Sequence, residues 1–108
     1  MKKKPKRRYV VIGSGSWGLW YGQIDDDAKT TAAIIQDKAV RVYGCRHVRY
    51  WYGPKGGITS LAAWGPNPAN TGNRIGAPAD SLITSVVNVY DVPPEAQKRF
   101  AAVVPEKV

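Results

Sequence analysis

The sequence predicts a single α+β domain: a β-rich antiparallel sheet with a short middle helix and a C-terminal helix. Three observations carry this. Short runs rich in β-branched and aromatic residues recur along the chain, separated by Gly, Pro, Asp and Asn. Ile58, Leu61 and Trp64 fall at helical spacing within a stretch bounded by glycines. Pro93-Pro94-Glu95 opens a segment that reaches Lys98 and Arg99, which suits the two ends of a helix dipole. The 108 residues fit one domain with a modest core, to which oligomerisation would add, so a homo-oligomer is expected.

Taken in order, Tyr9–Ile12 reads as a strand. Gly13 to Gly18 then has the form G-x-G-x-x-G, the dinucleotide fingerprint. That fingerprint needs a helix next, whereas Leu19–Ile24 is aromatic-rich and reads as a second strand, so the glycines are assigned to a hairpin. Asp25-Asp26-Asp27 is expected at a solvated turn, because calcium loops space their ligands at alternate positions. Thr30–Gln36 is expected as a third strand and Ala39–Tyr43 as a fourth, with Gln36-Asp37-Lys38 as the turn between them. Gly44 marks a bulge or bend before Arg46–Tyr52 continues the extended chain. Gly53–Gly57 is a loop without the phosphate-loop pattern. Ile58–Trp64 is the middle helix, capped by Thr59 or Ser60 and ended by Gly65-Pro66. Residues 66–79 form a long loop whose only charge, Arg74, is placed to reach into a neighbouring site. Residues 81–91 read as one long or bent strand, and the C-terminal helix follows until Pro105 closes it.

The net charge is +8, but its distribution matters more. Lys2, Lys3, Lys4, Lys6, Arg7 and Arg8 supply six of the sixteen basic residues, leaving ten against eight acidic ones in the body. Residues 1–8 therefore read as a basic, flexible arm ahead of a domain at 9–108. Such an arm suits nucleic-acid binding through phosphates, without sequence readout. No apolar run approaches the ~20 residues of a membrane span, and the N-terminal charges precede no long apolar region, so neither a membrane partner nor a secretory signal is expected. A single cysteine, Cys45, forms no internal disulfide and suits a reducing cytoplasm.

Residues 41–65 concentrate the unusual side chains. They hold the only His and Cys, three of six Tyr and two of four Trp, with four cations and no acid. Arg and Lys suit phosphates, and Tyr and Trp suit bases. Arg41, Arg46 and Arg49 are expected to meet phosphate with Lys55 at the rim. Tyr50, Trp51 and Trp64 would stack or form the wall, and His47 would hydrogen-bond. Strand alternation sends Arg46, Val48, Tyr50 and Tyr52 to one face and His47, Arg49 and Trp51 to the other. One subunit cannot line a single pocket with both faces. Cys45 and His47 supply at most two metal ligands, and no paired carboxylates or triad are visible. No catalytic residue, metal or cofactor is therefore expected.

From Tyr9 to Val103 the chain resembles a family of short tailed-phage and prophage proteins, a domain of unknown function. The resemblance is carried by the Tyr9–Ile12 strand, Arg46-His-Val-Arg-Tyr-Trp-Tyr52, Thr59-Ser-Leu-Ala-Ala-Trp-Gly65, Ala79-Asp-Ser-Leu-Ile-Thr84 and Glu95-Ala-Gln-Lys98. The glycine-rich Gly13–Gly18 and the long 66–79 loop depart from it. It implies a phage setting, with the cytoplasm of a bacterial host as the expected location, and brings no catalytic residues. Some short phage proteins sequester cyclic-nucleotide immune signals, which makes a nucleotide-type anion the expected small-molecule partner. A nucleic-acid-binding role for the basic arm and a structural role in the virion are the alternatives.

Overall fold

The structure is a computed structural model that describes residues 6–15 and 18–106. The described residues form six strands and three helices. In chain order they are β1 (Arg7–Ser14), β2 (Gly18–Asp25), α1 (Ala28–Asp37), β3 (Val40–Tyr50), α2 (Gly57–Trp64), β4 (Arg74–Ile75), β5 (Ala79–Ile83), β6 (Val86–Asp91) and α3 (Pro94–Ala102). The sheet runs β4-β3-β2-β1-β6, with β5 pairing the first half of β3, and every pairing is antiparallel. This is the α+β architecture that the sequence predicts.

The centre of the sheet is buried on both faces, which explains why β1 is continuously apolar rather than alternating. Val11, Tyr21 and Val48 point to the face covered by α2 and α3, where they meet Leu61, Ala62, Ala96 and Phe100. Val10, Ile12, Ile24, Val42 and Cys45 point the other way and pack with Ile83 and Val86, while Ile34 of α1 covers part of them. Tyr21 is stacked between Tyr9, at 5.5 Å, and Phe100, at 3.8 Å, so aromatic contact ties β1, β2 and α3 together.

Two glycines let β2 and β3 bend. Gly44 has φ +59°, the β3–β5 register shifts between Val42 and Cys45, and the Gly44 N–H donates to Asp80 Oδ1 at 2.8 Å, so the expected bulge is present. At Gly22 a Cβ would stand 2.6 Å from Val42 Cγ1 and 2.9 Å from the Tyr43 carbonyl oxygen, so the two strands cross there without room for a side chain.

Several local expectations are corrected. Residues 28–37 are the helix α1, not a strand, and Asp27 is its N-cap rather than a hairpin tip, accepting the Thr30 N–H at 2.7 Å. Neither Thr59 nor Ser60 caps α2, which starts at Gly56 without a side-chain cap. Residues 81–91 are interrupted at Ser85, with φ +56°, and divide into β5 and β6. The 66–79 loop contains the short β4. The expected arm also ends sooner, because β1 begins at Arg7. Arg7 pairs with Asp25 at 3.3 Å and lies over the Tyr43 ring, and Arg8 pairs with Asp91 at 2.7 Å. Lys6 is exposed, and its carbonyl accepts the Asp26 N–H. Lys2, Lys3 and Lys4 lie outside the described residues.

Candidate binding groove

The bent β3 distributes the predicted site residues over several surfaces. Arg46 is buried, 7% exposed, on the helix-covered face. Its Nε donates to the Gly76 carbonyl at 2.7 Å, Nη1 to Phe100 at 2.7 Å and Nη2 to Val103 at 2.9 Å. The last two carbonyls terminate α3, so Arg46 closes that helix end, where a cation is favoured by the dipole. His47 faces the other way and stacks on Trp20 at 4.3 Å. Burial chiefly, with help from Arg49 and against Glu106, lowers its pKa below the usual histidine range. Trp51 does not follow His47 to that face. The strand ends at Tyr50, and Trp51 turns to pack against the helix-side core. Arg41 is exposed opposite Leu82, Lys55 is exposed in the loop before α2, and Trp64 is exposed at the end of α2 with Arg99 near its ring. Arg41, Lys55 and Trp64 do not line the groove that takes Tyr50.

Tyr50 does enter a concave site. It is 51% exposed and meets Tyr52 edge to face at 5.1 Å. The two rings border a groove of about 750 Å³, completed by residues 70–74 and 103–106. Arg74 stands opposite Tyr50 across the β3–β4 pair, so the one charge of the long loop borders this groove. Glu106 lies between two cations, 2.8 Å from Arg49 and 3.9 Å from Arg74. Three charged groups thus give this end of the groove a net single positive charge.

The groove wall is built by asparagines. Asn73 is buried; its Oδ1 accepts the Tyr52 N–H at 2.7 Å, and its Nδ2 donates to the carbonyls of Asn67 and Asn70. Asn70 Oδ1 in turn accepts the Gly72 N–H at 2.8 Å. Side-chain amides that replace missing backbone partners hold such a loop in one shape. The Tyr52 ring lies against Gly72, where a Cβ would come within 2.5 Å of it. On the far side the Glu106 N–H donates to the Ile75 carbonyl at 2.8 Å and fixes the C-terminal segment as the second wall.

Tyr52 and Arg74 were visible in the sequence as an aromatic and a loop charge. Glu106 gave no signal, since it meets Arg49 across 57 residues of chain. Chemically the groove offers two aromatic rings, the Arg74 guanidinium and the Glu106 carboxylate, with Arg49 outside its lining and joined to it through Glu106. Cys45 lies in the opposite core, where burial pushes its thiol up to about 11 and keeps it protonated and unreactive. Among the described residues, no group of three or more His, Cys, Asp or Glu could hold a metal ion. No helix among them is long and apolar enough to cross a membrane. In comparisons with known proteins the chain matches no family model, no curated protein and no solved structure.

Proposed function

We propose that the protein is a non-enzymatic binding protein for a nucleotide-type anion, held in the Tyr50–Tyr52 groove. The observation that carries this is the exposed tyrosine pair directly opposite Arg74 in a concave site. Exposed aromatic rings are sequence-tolerant platforms for bases, and guanidinium groups receive phosphate bidentately. Of the arginines expected at phosphate, Arg46 is buried and Arg41 lies outside the groove, so in this proposal Arg74 takes that role with Arg49 beside it. The resemblance to short phage proteins adds a ligand class, the cyclic nucleotides of bacterial immune signalling, and an accessory role in the infected cell.

Glu106 sets the electrostatics of this proposal. It neutralises Arg49 and shares Arg74, so an incoming phosphate competes with it. Glu106→Gln removes the competing charge and is expected to tighten binding of a phosphate-bearing ligand. Tyr50→Ala and Tyr52→Ala each weaken it by roughly tenfold or more, since base stacking contributes about 1–3 kcal/mol. Isothermal titration against mononucleotides and cyclic di- and trinucleotides tests all three variants. Absence of heat with every member of the panel, from folded protein, sinks the proposal. Weaker binding by Glu106→Gln would remove the assigned phosphate position.

A further inference from the structure

The C-terminal segment that walls the first groove also borders a second cavity on its other side. This cavity has a volume of about 650 Å³ and lies between α3 and the helix-facing side of β1, β2 and β3. Tyr9, Tyr21, Gln23, Arg46 and Lys98 are among its lining residues. None of these takes part in the groove described above.

The charge of Arg46 is the reason to examine it. A guanidinium carries five N–H donors, and the three carbonyl contacts use one on each nitrogen, which leaves two. None of the ion pairs among the described residues includes Arg46. The negative end of the α3 dipole offsets about half a charge. The remainder is a desolvated cation without a counter-charge, an arrangement that is costly unless something completes it. Burial accordingly lowers the Arg46 pKa, while Tyr21 acts in the opposite direction.

Two phenols stand beside this cation. Tyr9 and Tyr21 stack with their rings 12° from parallel. Neither hydroxyl makes a hydrogen bond to another described residue, and burial raises the Tyr21 pKa well above the usual phenol range, so it remains a neutral O–H donor. Lys98 adds an exposed ammonium at the rim, which it shares with Glu95 at 3.3 Å. We propose that this cavity is a second binding site, for a phosphate-sized oxyanion received by the free Arg46 N–H groups and the Tyr9 and Tyr21 hydroxyls. Charge-assisted hydrogen bonds to a preorganised, water-poor cation are the strong kind. The anion would also complete the neutralisation at the C-terminal end of α3.

Inorganic phosphate is the probe, titrated against chloride at matched ionic strength and followed by two-dimensional NMR and thermal melting. Saturable shifts centred on Tyr9, Tyr21 and Arg46, with a rising melting temperature, are expected. Tyr9→Phe and Tyr21→Phe keep the stacked rings and remove only the donors. Each is expected to weaken phosphate binding by about tenfold, the scale of one charge-assisted bond. Arg74→Gln, which removes the guanidinium assigned to phosphate in the other groove, is expected to leave phosphate binding at this cavity unchanged. No saturable response, or an unchanged affinity in the double Phe variant, would overturn the second site. Loss of phosphate binding in Arg74→Gln alone would move the anion to the first groove and overturn it as well.

Discussion

Removing the Arg46 guanidinium takes a donor from three carbonyl oxygens at once, two of them at the end of α3; Phe100 keeps the Val103 N–H at 3.2 Å, while Gly76 and Val103 lose their donor. Each buried acceptor left without a partner costs about 1–3 kcal/mol, so Arg46→Met is expected to destabilise the fold by roughly 3 kcal/mol or more. Arg46→Lys should recover only part of this, because one ammonium cannot reproduce a fork aimed at three acceptors. Urea unfolding measures both; a Met variant within error of the parent would show that the carbonyls find water instead. His47 makes a pH prediction. Its folded pKa is depressed, by burial first and Arg49 second, so the fold favours the neutral ring. That contribution is present above the unfolded value near 6.5 and is lost as pH falls towards and below the folded value. His47→Phe keeps a ring against Trp20 and removes the titration. The parent should therefore lose more stability than this variant on acidification from about pH 7 to about pH 5. An NMR midpoint for His47 above that of a free histidine would reverse the sign and refute the assignment.

At the scale of elements, α1 is where local chemistry overrode the apparent pattern. Thr30, Thr31, Ile34 and Ile35 favour extension, and β-branching suggested a strand. What won was the Asp27 cap at one end, the alanines at 28, 32 and 33, and Lys38 at the other end, with φ +54° and its N–H donated to the Ile34 carbonyl. The helix buries no residue completely and leaves Ile35 64% exposed, so its ends matter more than its packing. A ten-residue helix is marginal without such help. Lys38→Gly relieves the left-handed strain and should stabilise the protein by about 1 kcal/mol, less whatever the Lys38 Nζ bond to the Ile35 carbonyl supplies. Hydrogen exchange should find α1 amides opening well before those of β1, and equal protection would contradict this account. The strands were easier to read. Most of their signals are short runs of β-branched and aromatic residues punctuated by glycine and other turn residues, and Gly44 carried a legible bulge. The break at Ser85 was not legible, since a serine in left-handed geometry carries no glycine or asparagine signature.

For the whole molecule, the sequence indicated the chemistry of the site better than its assembly. Tyr50 and Arg49 were legible as an aromatic and a cation of the expected site, on opposite faces of the strand. Arg74 and Glu106 join them only because β4 and the C-terminal segment come back against β3. Long-range return of the chain leaves no trace in local spacing; Arg46, expected on the face of Tyr50, is buried at the end of α3, and Trp51, expected on the face of His47 and Arg49, turns to the helix-side core where the strand ends. The net charge calls for the same caution. Arg7 and Arg8 look like part of a free basic arm, yet they are tied to Asp25, Asp26 and Asp91, with all of those carboxylates on the domain itself. Their charge is largely answered within the fold, which leaves Lys2, Lys3, Lys4 and Lys6 as the cations that an alternative nucleic-acid role would use. Truncation through residue 8 would remove part of β1 and confuse folding with binding. Replacing the four lysines by glutamine is the cleaner test. Any affinity for duplex DNA should then disappear, and in the parent its dependence on salt should have a log–log slope no steeper than about −4, one counterion per lysine. Binding of nucleotides in the Tyr50 groove should survive the same replacement, because none of the described residues that line that groove precedes Tyr50. DNA affinity that persists in the glutamine variant would shift that role from the terminus to the folded body, with Arg49 and Arg74 as the first cations to test.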